Sequence, residues 1–561
     1  MRKRLIIVPS SRYIDFELRS EFGNIPPVLM PIENKNVLMS IYERYNNDCT
    51  DIVIGCHDGK ELVDQFIKQA LLKIRTVDVG RTYDVGHTIY KIMALCPNNY
   101  HEIIINFGDT IPLMNLGSLK GDVIVTANVD TPWKWTIVKK QKESLCFLDK
   151  VPTENNIEYQ TVIGTIKLSQ PVKFMSMLHD SLIQSLENGT ESLYSSLTQY
   201  SKRVGIELLP INKEDWIDVG HQDRLDELRK NMRERSFNSI QIDYNRGIFL
   251  KQSENYQKLI QEIKWYIDLP RELHYCIPRI FDYSLAGSNS YVSMEYYGYP
   301  SLADIFVHGN LSKKKWEEIL QALKWILGEF KKFTLPINEK AVYRLKYQMY
   351  VEKTLKRLKE YPLTNELAEI SRGFYLNGEW IFSLQDCLDK LEELFYSCIP
   401  RGIKHLSVMH GDFCLSNILY DARSKVFKVI DPRGSFGESS VYGDYDYDIA
   451  KLSHSLSGYY DFIVREQFYY SRQEQDVVFK PFVFDIHKEA ADLFMNIFVN
   501  YDWEQKRRIE FIEALLFLSM IPLHEDSKYK QIGMLITGLT KFTKVYKNRT
   551  SALVVGNQIA K

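Results

Sequence analysis

Segments with strand and helix character alternate along the first hundred residues of this chain. Apolar runs typical of strands occupy residues 5–8, 51–55, 74–79 and 102–107. The segments between them with apolar residues at helical spacing are residues 37–45, 60–72 and 85–95. Such alternation predicts a doubly wound, mainly parallel, Rossmann-like α/β sheet, whose ligands bind beyond the carboxyl ends of the strands. Asp109 follows the last of these strands, so we expect it at the binding edge.

Composition narrows the class of protein. The 561 residues are 45% hydrophobic and 25% charged, which is typical of a soluble globular protein of two or more domains. A net charge of -1 gives no electrostatic reason to bind nucleic acid or an anionic membrane, and no apolar run has transmembrane length. The eight cysteines form no CxxC pair, which favours reduced thiols and a cytoplasmic location. We therefore expect small-molecule partners and neither nucleic acid nor membrane; the oligomeric state stays open.

A second constraint is the stretch from Val408 to Gly434. It reads as an apolar strand, a polar loop, a hairpin and a strand that ends in an acid, and it should bring Asp412, Asn417 and Asp431 to one edge. Phosphoryl transfer from a nucleotide needs such a trio, because one carboxylate orients or deprotonates the attacking hydroxyl while an amide oxygen and a second carboxylate hold magnesium.

His410-Gly411-Asp412-x(4)-Asn417 followed by Ile430-Asp431 resembles the catalytic loop and metal-binding Asp of the aminoglycoside phosphotransferase/choline kinase family. The resemblance implies an α+β, protein-kinase-like, two-lobed domain. It makes Asp412 the catalytic base, and Asn417 and Asp431 the ligands of Mg²⁺. His410 is expected to be buried and to support the loop.

The same resemblance assigns the residues that bind ATP. Lys251 ends a predicted strand and would pair the α- and β-phosphates, held by Glu262 on the next helix, with Glu254 as the nearby alternative. Glu295 and Tyr296 lie where the family pairs backbone groups with adenine. The Gly-x-Gly-x-x-Gly loop of protein kinases is absent, so residues 236–239 would cover the phosphates.

Four local features of the first half resemble the sugar-phosphate nucleotidyltransferase family. They are the loop Val8-Pro9-Ser10-Ser11-Arg12, the run from Pro26 to Lys35, Phe107-Gly108-Asp109, and the segment from Trp216 to Leu225 that contains Asp218. The resemblance implies that Asp109 and Asp218 clamp one Mg²⁺ on a nucleotide α-phosphate, and that Ser10, Ser11 and Arg12 hold the triphosphate. Thr82 and Gly86 lie where the family contacts base and ribose, although an ordinary helix N-cap would explain the segment equally well.

The first half also departs from the family. Its nucleotide loop has no glycine, and Pro27 stands in place of the signature lysine. A substrate phosphate would then need another cation, for which Arg19, Lys35 and Arg81 are the candidates.

These patterns predict two domains, a nucleotidyltransferase-like domain at 1–232 and a kinase-like domain at 233–561, with an N-lobe to about 300 and a C-lobe beyond. The charged helix expected at residues 223–234 would end the first domain. The domain order favours a bifunctional enzyme that uses ATP and a second nucleoside triphosphate. The kinase would phosphorylate a hydroxyl of a sugar, polyol or amino alcohol, and the first domain would activate that phosphate for surface-polysaccharide (capsule) synthesis.

Three alternatives remain open from the sequence. The first domain could be a degenerate binding domain attached to a kinase, as Pro27 suggests. The second domain could modify an antibiotic, which would favour an acidic cleft for polycations. The chain could also be a nucleotide-dependent interaction protein, against which the trio weighs.

Overall fold

The structure, a computed structural model, describes residues 3–97, 99–114, 116, 119–141, 144–154, 158–222, 224–225, 227–228, 240–363, 365–437, 441–500 and 502–548. The chain divides into two compact units, Met1–Arg229 and Lys230–Lys561, beside the boundary expected at 232/233. Most of the helix expected at 223–234, and the loop expected at 236–239, lie outside the described residues.

The first unit is an α/β domain. Its strands are β1 Arg4–Ser10, β2 Pro31–Ile32, β3 Lys35–Asn36, β4 Thr50–Cys56, β5 Arg75–Asp78, β6 Glu102–Asn106, β7 Thr110–Pro112, β8 Val123–Ala127, β9 Thr136–Gln141, β10 Ser144–Asp149, β11 Thr161–Leu168, β12 Glu207–Ile211 and β13 Trp216–Asp218. Its helices are α1 Phe16–Phe22, α2 Val37–Tyr45, α3 Lys60–Gln69, α4 Val85–Ala94, α5 Pro171–Asn188 and α6 Ser192–Arg203.

The main sheet of this unit is mixed, in the order β10-β9-β11-β6-β1-β4-β5, with β8 beside β11 and β12. Strands β6, β1, β4 and β5 are parallel, as the alternation predicts. Strand β11 runs antiparallel to β6, β8 and β9, so the expectation of a mainly parallel sheet was wrong for this half. The physical reason is that the described residues between β8 and β11 form no α-helix, and a chain without a long crossover returns as an antiparallel neighbour.

Burial and capping explain the predicted elements. Residues Leu5–Val8 of β1 are at most 2% exposed, as expected for a strand covered on both faces. Helix α2 begins where the Asn36 side chain accepts a hydrogen bond from the Met39 amide at 2.9 Å, and Asp84 caps α4 by accepting from the His87 amide at 2.7 Å.

The second unit has an antiparallel sheet followed by a mainly helical region. Its strands are β14 Ile240–Asp243, β15 Ile248–Gln252, β16 Ile280–Ser284, β17 Tyr291–Glu295, β18 Thr334–Pro336, β19 Phe374–Leu376, β20 Glu379–Ile381, β21 His405–Val408, β22 Ile418–Asp421, β23 Val426–Val429, β24 Tyr442–Gly443, β25 Phe468–Gln473 and β26 Asp476–Pro481. Its helices are α7 Tyr256–Asp268, α8 Leu302–His308, α9 Lys313–Lys332, α10 Glu339–Tyr347, α11 Lys353–Glu360, α12 Asn365–Ile370, α13 Leu384–Cys398, α14 Tyr445–Leu456, α15 Tyr460–Val464, α16 Asp485–Phe494, α17 Trp503–Met520 and α18 Lys528–Lys547.

The four-stranded sheet has the order β14-β15-β17-β16, and β14 and β15 form the expected hairpin, with Ile240 opposite Lys251. The described part of residues 341–398 is mostly helical. Strands β19 and β20 interrupt them, and β19 pairs with β26 of a hairpin that the sequence did not indicate. A π-helical turn at Gln348–Glu352 joins α10 to α11. Among the described residues, no helix is both long enough and apolar enough to span a membrane.

Two helical glycines of this unit allow a matched test of packing. A Cβ on Gly538 of α18 would lie 2.8 Å from Leu518 Cγ of α17, whereas a Cβ on Gly328 of α9 would have no heavy atom within 4 Å. We expect Gly538→Ala to lower the free energy of unfolding by about 1–3 kcal/mol through overpacking, and Gly328→Ala to raise it by about 0.5–1 kcal/mol through helix propensity. Urea unfolding followed by circular dichroism measures both, and equal effects of the same sign would contradict this packing.

Candidate functional site

The first unit brings Asp109 and Asp218 together at the carboxyl edge of its sheet. Asp109 follows β6, and Asp218 ends β13, which pairs with β7 so that Asp218 lies opposite Thr110. The Val219 amide donates to the Asp109 carbonyl at 3.0 Å. Gly220 permits this approach, since a Cβ there would lie 2.4 Å from Asp109 Oδ2. The two predicted metal ligands therefore share one place.

Burial and mutual repulsion disfavour the state in which both carboxylates of this pair are charged. Burial and the charge of Asp218 raise the pKa of Asp109 to about 6. The Asp218 carboxylate is buried and lies 2.9 Å from His221 Nδ1, and the His221 ring stacks on Trp135 at 4.2 Å between ring centroids. Paired carboxylate oxygens are ligands that a hard divalent cation prefers, so the donor set fits magnesium.

A cavity of about 400 Å³ surrounds this pair, and Ser10, Ser11, Arg12 and Thr82 line it. Ser11 Oγ lies 3.2 Å from Thr82 Oγ1, and Arg12 Nη2 donates to the Thr82 carbonyl at 2.8 Å. The loop after β1 is thus tied to the N-terminus of α4. Gly86 does not line the cavity; a Cβ there would lie 2.2 Å from Ser192 Oγ of α6, so Gly86 serves helix packing.

The cations of this cavity differ from the candidates taken from the sequence. Lys35 Nζ is bound to Glu43 Oε1 at 2.5 Å, and Arg19 Nε donates to a backbone carbonyl at 2.7 Å. Lys134 and Lys150, on either side of the β9–β10 hairpin, line the cavity instead. Nothing in the local sequence pattern distinguished these two lysines.

In the second unit, Lys251 joins three elements. Its ammonium lies 2.9 Å from both carboxylate oxygens of Glu262 on α7 and 2.7 Å from Asp431 Oδ1, which follows β23. Gly434 allows the loop after Asp431 to approach α7, since a Cβ there would lie 2.4 Å from the Gln261 backbone carbonyl. The predicted Lys251, Glu262 and Asp431 are therefore in direct contact.

Asp412 lies in the neighbouring loop, held by two groups. Asn417 Nδ2 donates to the Asp412 carbonyl and to Asp412 Oδ2, both at 3.0 Å, and Lys451 Nζ on α14 lies 2.8 Å from Asp412 Oδ1. Burial alone would raise the pKa of Asp412, but Lys451 beside it holds that pKa below its ordinary value. Lys451 was missed from the sequence, although its position three residues after Asp448 puts both on one face of α14.

Asp448 fixes the loop that carries Asp412. Its two carboxylate oxygens accept hydrogen bonds from the His410 and Gly411 amides, each at 2.7 Å. The His410 side chain is 1% exposed and contacts the Trp265 ring, as its supporting role predicts. Asp448 thus holds the backbone of the loop through both of its carboxylate oxygens.

A cavity of about 560 Å³ contains Lys251, Glu262, Asp412, Asn417 and Asp431 in its lining. Glu295 and Tyr296 do not line it, and their amides donate to the Arg279 and Gly247 carbonyls at 2.8 Å. The predicted adenine contact of these two residues is thus not part of this cavity.

Four further cations line the same cavity. Lys258 is one of them, and the other three were missed as a group by sequence reasoning. These are Lys353 and Arg357, four residues apart on α11, and Arg433, and we call them the cationic cluster. Burial, followed by the charges of Arg433, Arg357 and Lys451, lowers the pKa of Lys353 well below its ordinary value.

No family model matches this sequence, and no curated protein does. Solved nucleotidyltransferase structures match the N-terminal region, about 40% of the chain. CTP:phosphocholine cytidylyltransferase from Streptococcus pneumoniae is 11% identical over 41% of this chain and 99% of its own, with a TM-score of 0.34. A putative glucose-1-phosphate thymidylyltransferase from Bacillus anthracis is 17% identical over 42% and 96% (TM-score 0.32), and the inositol-1-phosphate CTP transferase from T. maritima 14% over 42% and 98% (TM-score 0.30). Similarity of this degree supports no conclusion on activity, which rests on the two sites.

The electrostatics of Asp109 can be tested through stability. Since its pKa is raised to about 6, its charged form is disfavoured in the folded state at pH 7. We expect Asp109→Asn to raise the free energy of unfolding by about 1–2 kcal/mol in chelator-containing buffer at pH 7. Asp130→Asn, on an exposed carboxylate paired with Lys213 at 2.6 Å, should give no increase. An unchanged or lower stability of Asp109→Asn in urea unfolding would show that the folded state does not disfavour the charged Asp109 carboxylate.

Proposed function

We propose that the chain is a bifunctional transferase. The second unit transfers the γ-phosphoryl group of ATP to a hydroxyl of a small molecule, and the first unit joins the resulting phosphate to a nucleoside monophosphate. The observation that carries the proposal is that Lys251 bridges Glu262 and Asp431 in the same cavity in which Asn417 and Lys451 hold Asp412. The product, a nucleoside-diphosphate derivative, is the form in which sugars and polyols enter surface-polysaccharide synthesis, and we place the enzyme in the cytoplasm.

The kinase step uses the residues around Asp412. The acceptor oxygen attacks the γ-phosphorus, the bond from that phosphorus to the β-bridging oxygen breaks, and ADP leaves with the bonding electrons. The acceptor hydroxyl gives its proton to Asp412, which Lys451 keeps ionised and Asn417 keeps in place. Lys251 holds the α- and β-phosphates through the position that Glu262 gives it.

The carboxylate of Asp431 and the amide oxygen of Asn417 are the groups that would hold magnesium in this unit. The Asn417 amide nitrogen donates to Asp412, so the amide oxygen remains as the ligand atom. Bound magnesium supplies charge neutralisation for the transferring phosphoryl group.

The nucleotidyl step uses the cavity of the first unit. An oxygen of the acceptor phosphate attacks the α-phosphorus of a nucleoside triphosphate, the bond to the β-phosphate breaks, and pyrophosphate leaves. Asp109 and Asp218 would hold magnesium at the α-phosphate, while Lys134 and Lys150 offset the remaining phosphate charge.

The runner-up function is a kinase with a nucleotide-binding front domain. It is favoured by Pro27, which lines the first cavity without a charge. The antibiotic-modifying alternative is disfavoured, because the cavity around Asp412 carries the cationic cluster where a polycation would need acids.

The kinase half predicts separable effects of two variants. Asp412→Asn should lower ADP formation with a panel of sugars, polyols and amino alcohols by about 10²–10⁴-fold, while magnesium-ATP still raises the Tm. Lys251→Met should weaken both the rate and the Tm rise, because it removes the phosphate contact. The control is Lys425→Met, an exposed lysine of the same unit that forms an ion pair with Glu318. Full activity of Asp412→Asn would rule out its role as base.

The nucleotidyltransferase half predicts pyrophosphate release. The protein is incubated with magnesium, each of the four nucleoside triphosphates and a panel of sugar and polyol phosphates. Release with one pair, abolished in Asp109→Asn and retained in Asp130→Asn, is the expected result. If no pair releases pyrophosphate while ATP is still consumed with some unphosphorylated acceptor, the result would favour the kinase with a binding domain.

A further inference from the structure

The positive charge of the cationic cluster is not balanced by the carboxylates that line the same cavity. Six cationic side chains and three carboxylates line the cavity around Asp412. The three carboxylates are those of Glu262, Asp412 and Asp431, and they are already paired with Lys251 or Lys451. The cavity therefore carries an excess of positive charge on one side.

Each member of the cluster lacks a carboxylate partner among the described residues. Arg357 Nη1 donates to the Ser519 carbonyl at 3.0 Å, and Arg433 Nη1 donates to the Tyr447 hydroxyl at 3.1 Å. Lys353 Nζ lies 5.9 Å from the centre of the Tyr447 ring. Neutral partners hold the two guanidinium groups in place without neutralising them, so that three half-buried basic side chains face the cavity. Such an arrangement is unfavourable until an anion enters.

The triphosphate of ATP does not account for this charge. Lys251 marks the side of the cavity on which the α- and β-phosphates lie in the proposed reaction, and Asp431 and Asn417 would hold magnesium there. Lys353 and Arg357 lie on α11, which packs against α17. Their side of the cavity includes Leu516, Ser519 and Met520 of α17 and Leu523 beyond it. Lys353 and Arg357 thus belong to the side that receives the acceptor, and Arg433 follows Asp431 by two residues and lines the same cavity.

A π-helical turn sets the direction of two members. It ends at Glu352, immediately before Lys353, and α11 then places Lys353 and Arg357 four residues apart on one face. Such turns occur frequently at functional sites. Lys356 of the same helix is exposed. One face of α11 therefore presents its cations to the cavity, and another face presents Lys356 to solvent.

We propose that the acceptor of the kinase step is a small hydroxylated anion whose carboxylate or phosphate binds Lys353, Arg357 and Arg433 while its hydroxyl lies against Asp412. Arginine forks match both oxyanions in geometry. The inference deepens the proposed kinase function and rests on it. The cluster fixes the acceptor at its charged end, and the hydroxyl loses its proton to Asp412 as the oxygen–phosphorus bond forms.

The test compares neutral acceptors with their acidic counterparts. Glycerol is paired with glycerate and glycerol 3-phosphate, and glucose with glucuronate and glucose 6-phosphate; choline and ethanolamine serve as cationic acceptors. ADP formation from magnesium-ATP is measured with each. We expect turnover with an acid and little with its neutral counterpart, and the carboxylate and phosphate arms identify which oxyanion is bound. Preference for neutral or cationic acceptors would overturn the proposal.

Variants locate the effect. Lys353→Met and Arg357→Met should each lower kcat/KM for the acidic acceptor by about 10–100-fold, as expected for a lost charge-assisted hydrogen bond. The KM for ATP should stay within about twofold, and Lys356→Met should leave both parameters unchanged. A rise in the KM for ATP instead would assign the cluster to the nucleotide and overturn the proposal.

Calorimetry separates this inference from the kinase function. If no acceptor elicits ADP formation, the kinase function fails. The anion site is then tested by itself, by comparing the heat of binding of glucuronate and of glucose 6-phosphate with that of glucose. Binding of an acid that is lost in Lys353→Met would support the site, and absence of anion binding would overturn it.

Discussion

The contact on which the second unit depends is the ammonium of Lys251 between two carboxylates. It ties a strand of the antiparallel sheet, the helix α7 and the loop after β23 to one point, with distances of 2.7 to 2.9 Å. Without that ammonium, Glu262 and Asp431 would face each other as uncompensated negative charges in a partly buried place, and such pairs are strongly unfavourable. This ion pair holds the loop against α7, and Gly434 permits the close approach of the loop to the helix backbone.

The first unit also brings two carboxylates together, but among its described residues it places no lysine between them. Asp109 and Asp218 also face each other, but no lysine of the described residues lies within ion-pair distance of either carboxylate. The neighbouring titratable group is His221, whose Nδ1 lies 2.9 Å from Asp218 Oδ2. The unit therefore keeps an electrostatic cost at its binding edge, whereas the second unit removes most of that cost internally. Strain of this kind is common at functional sites.

Much of this arrangement could be predicted from local patterns. Alternating strands and helices predicted the parallel part of the first sheet, because each element there is a separate apolar run. Short motifs with chemistry, such as Asp412 with Asn417 and Lys251 with Glu262, came together because neighbouring strands and loops fix their spacing. The antiparallel β11 was not foreseen, since an apolar strand carries no record of the direction of its neighbour.

Side chains that reach a site from distant helices were harder to foresee. Lys353 and Arg357 lie in a charged helix that resembles any solvent-exposed helix in sequence, and only tertiary packing turns that face toward Asp412. Lys451 looks like a solvent-facing residue until α14 is seen to be buried along its length. In these cases the deciding quantity is the environment of the charge, which one sequence does not contain.

The π-helical turn before Lys353 makes the length of this helical segment as important as its composition. A π turn contains one residue more than an α turn, and each residue of an α-helix rotates the next by about 100°. A one-residue deletion between Gln348 and Glu352 would allow an uninterrupted α-helix, at the cost of turning α10 relative to α11. Either the core contacts of α10 or the direction of Lys353 would then be lost. Related chains should therefore tolerate exchanges of residue type in this turn more readily than insertions or deletions.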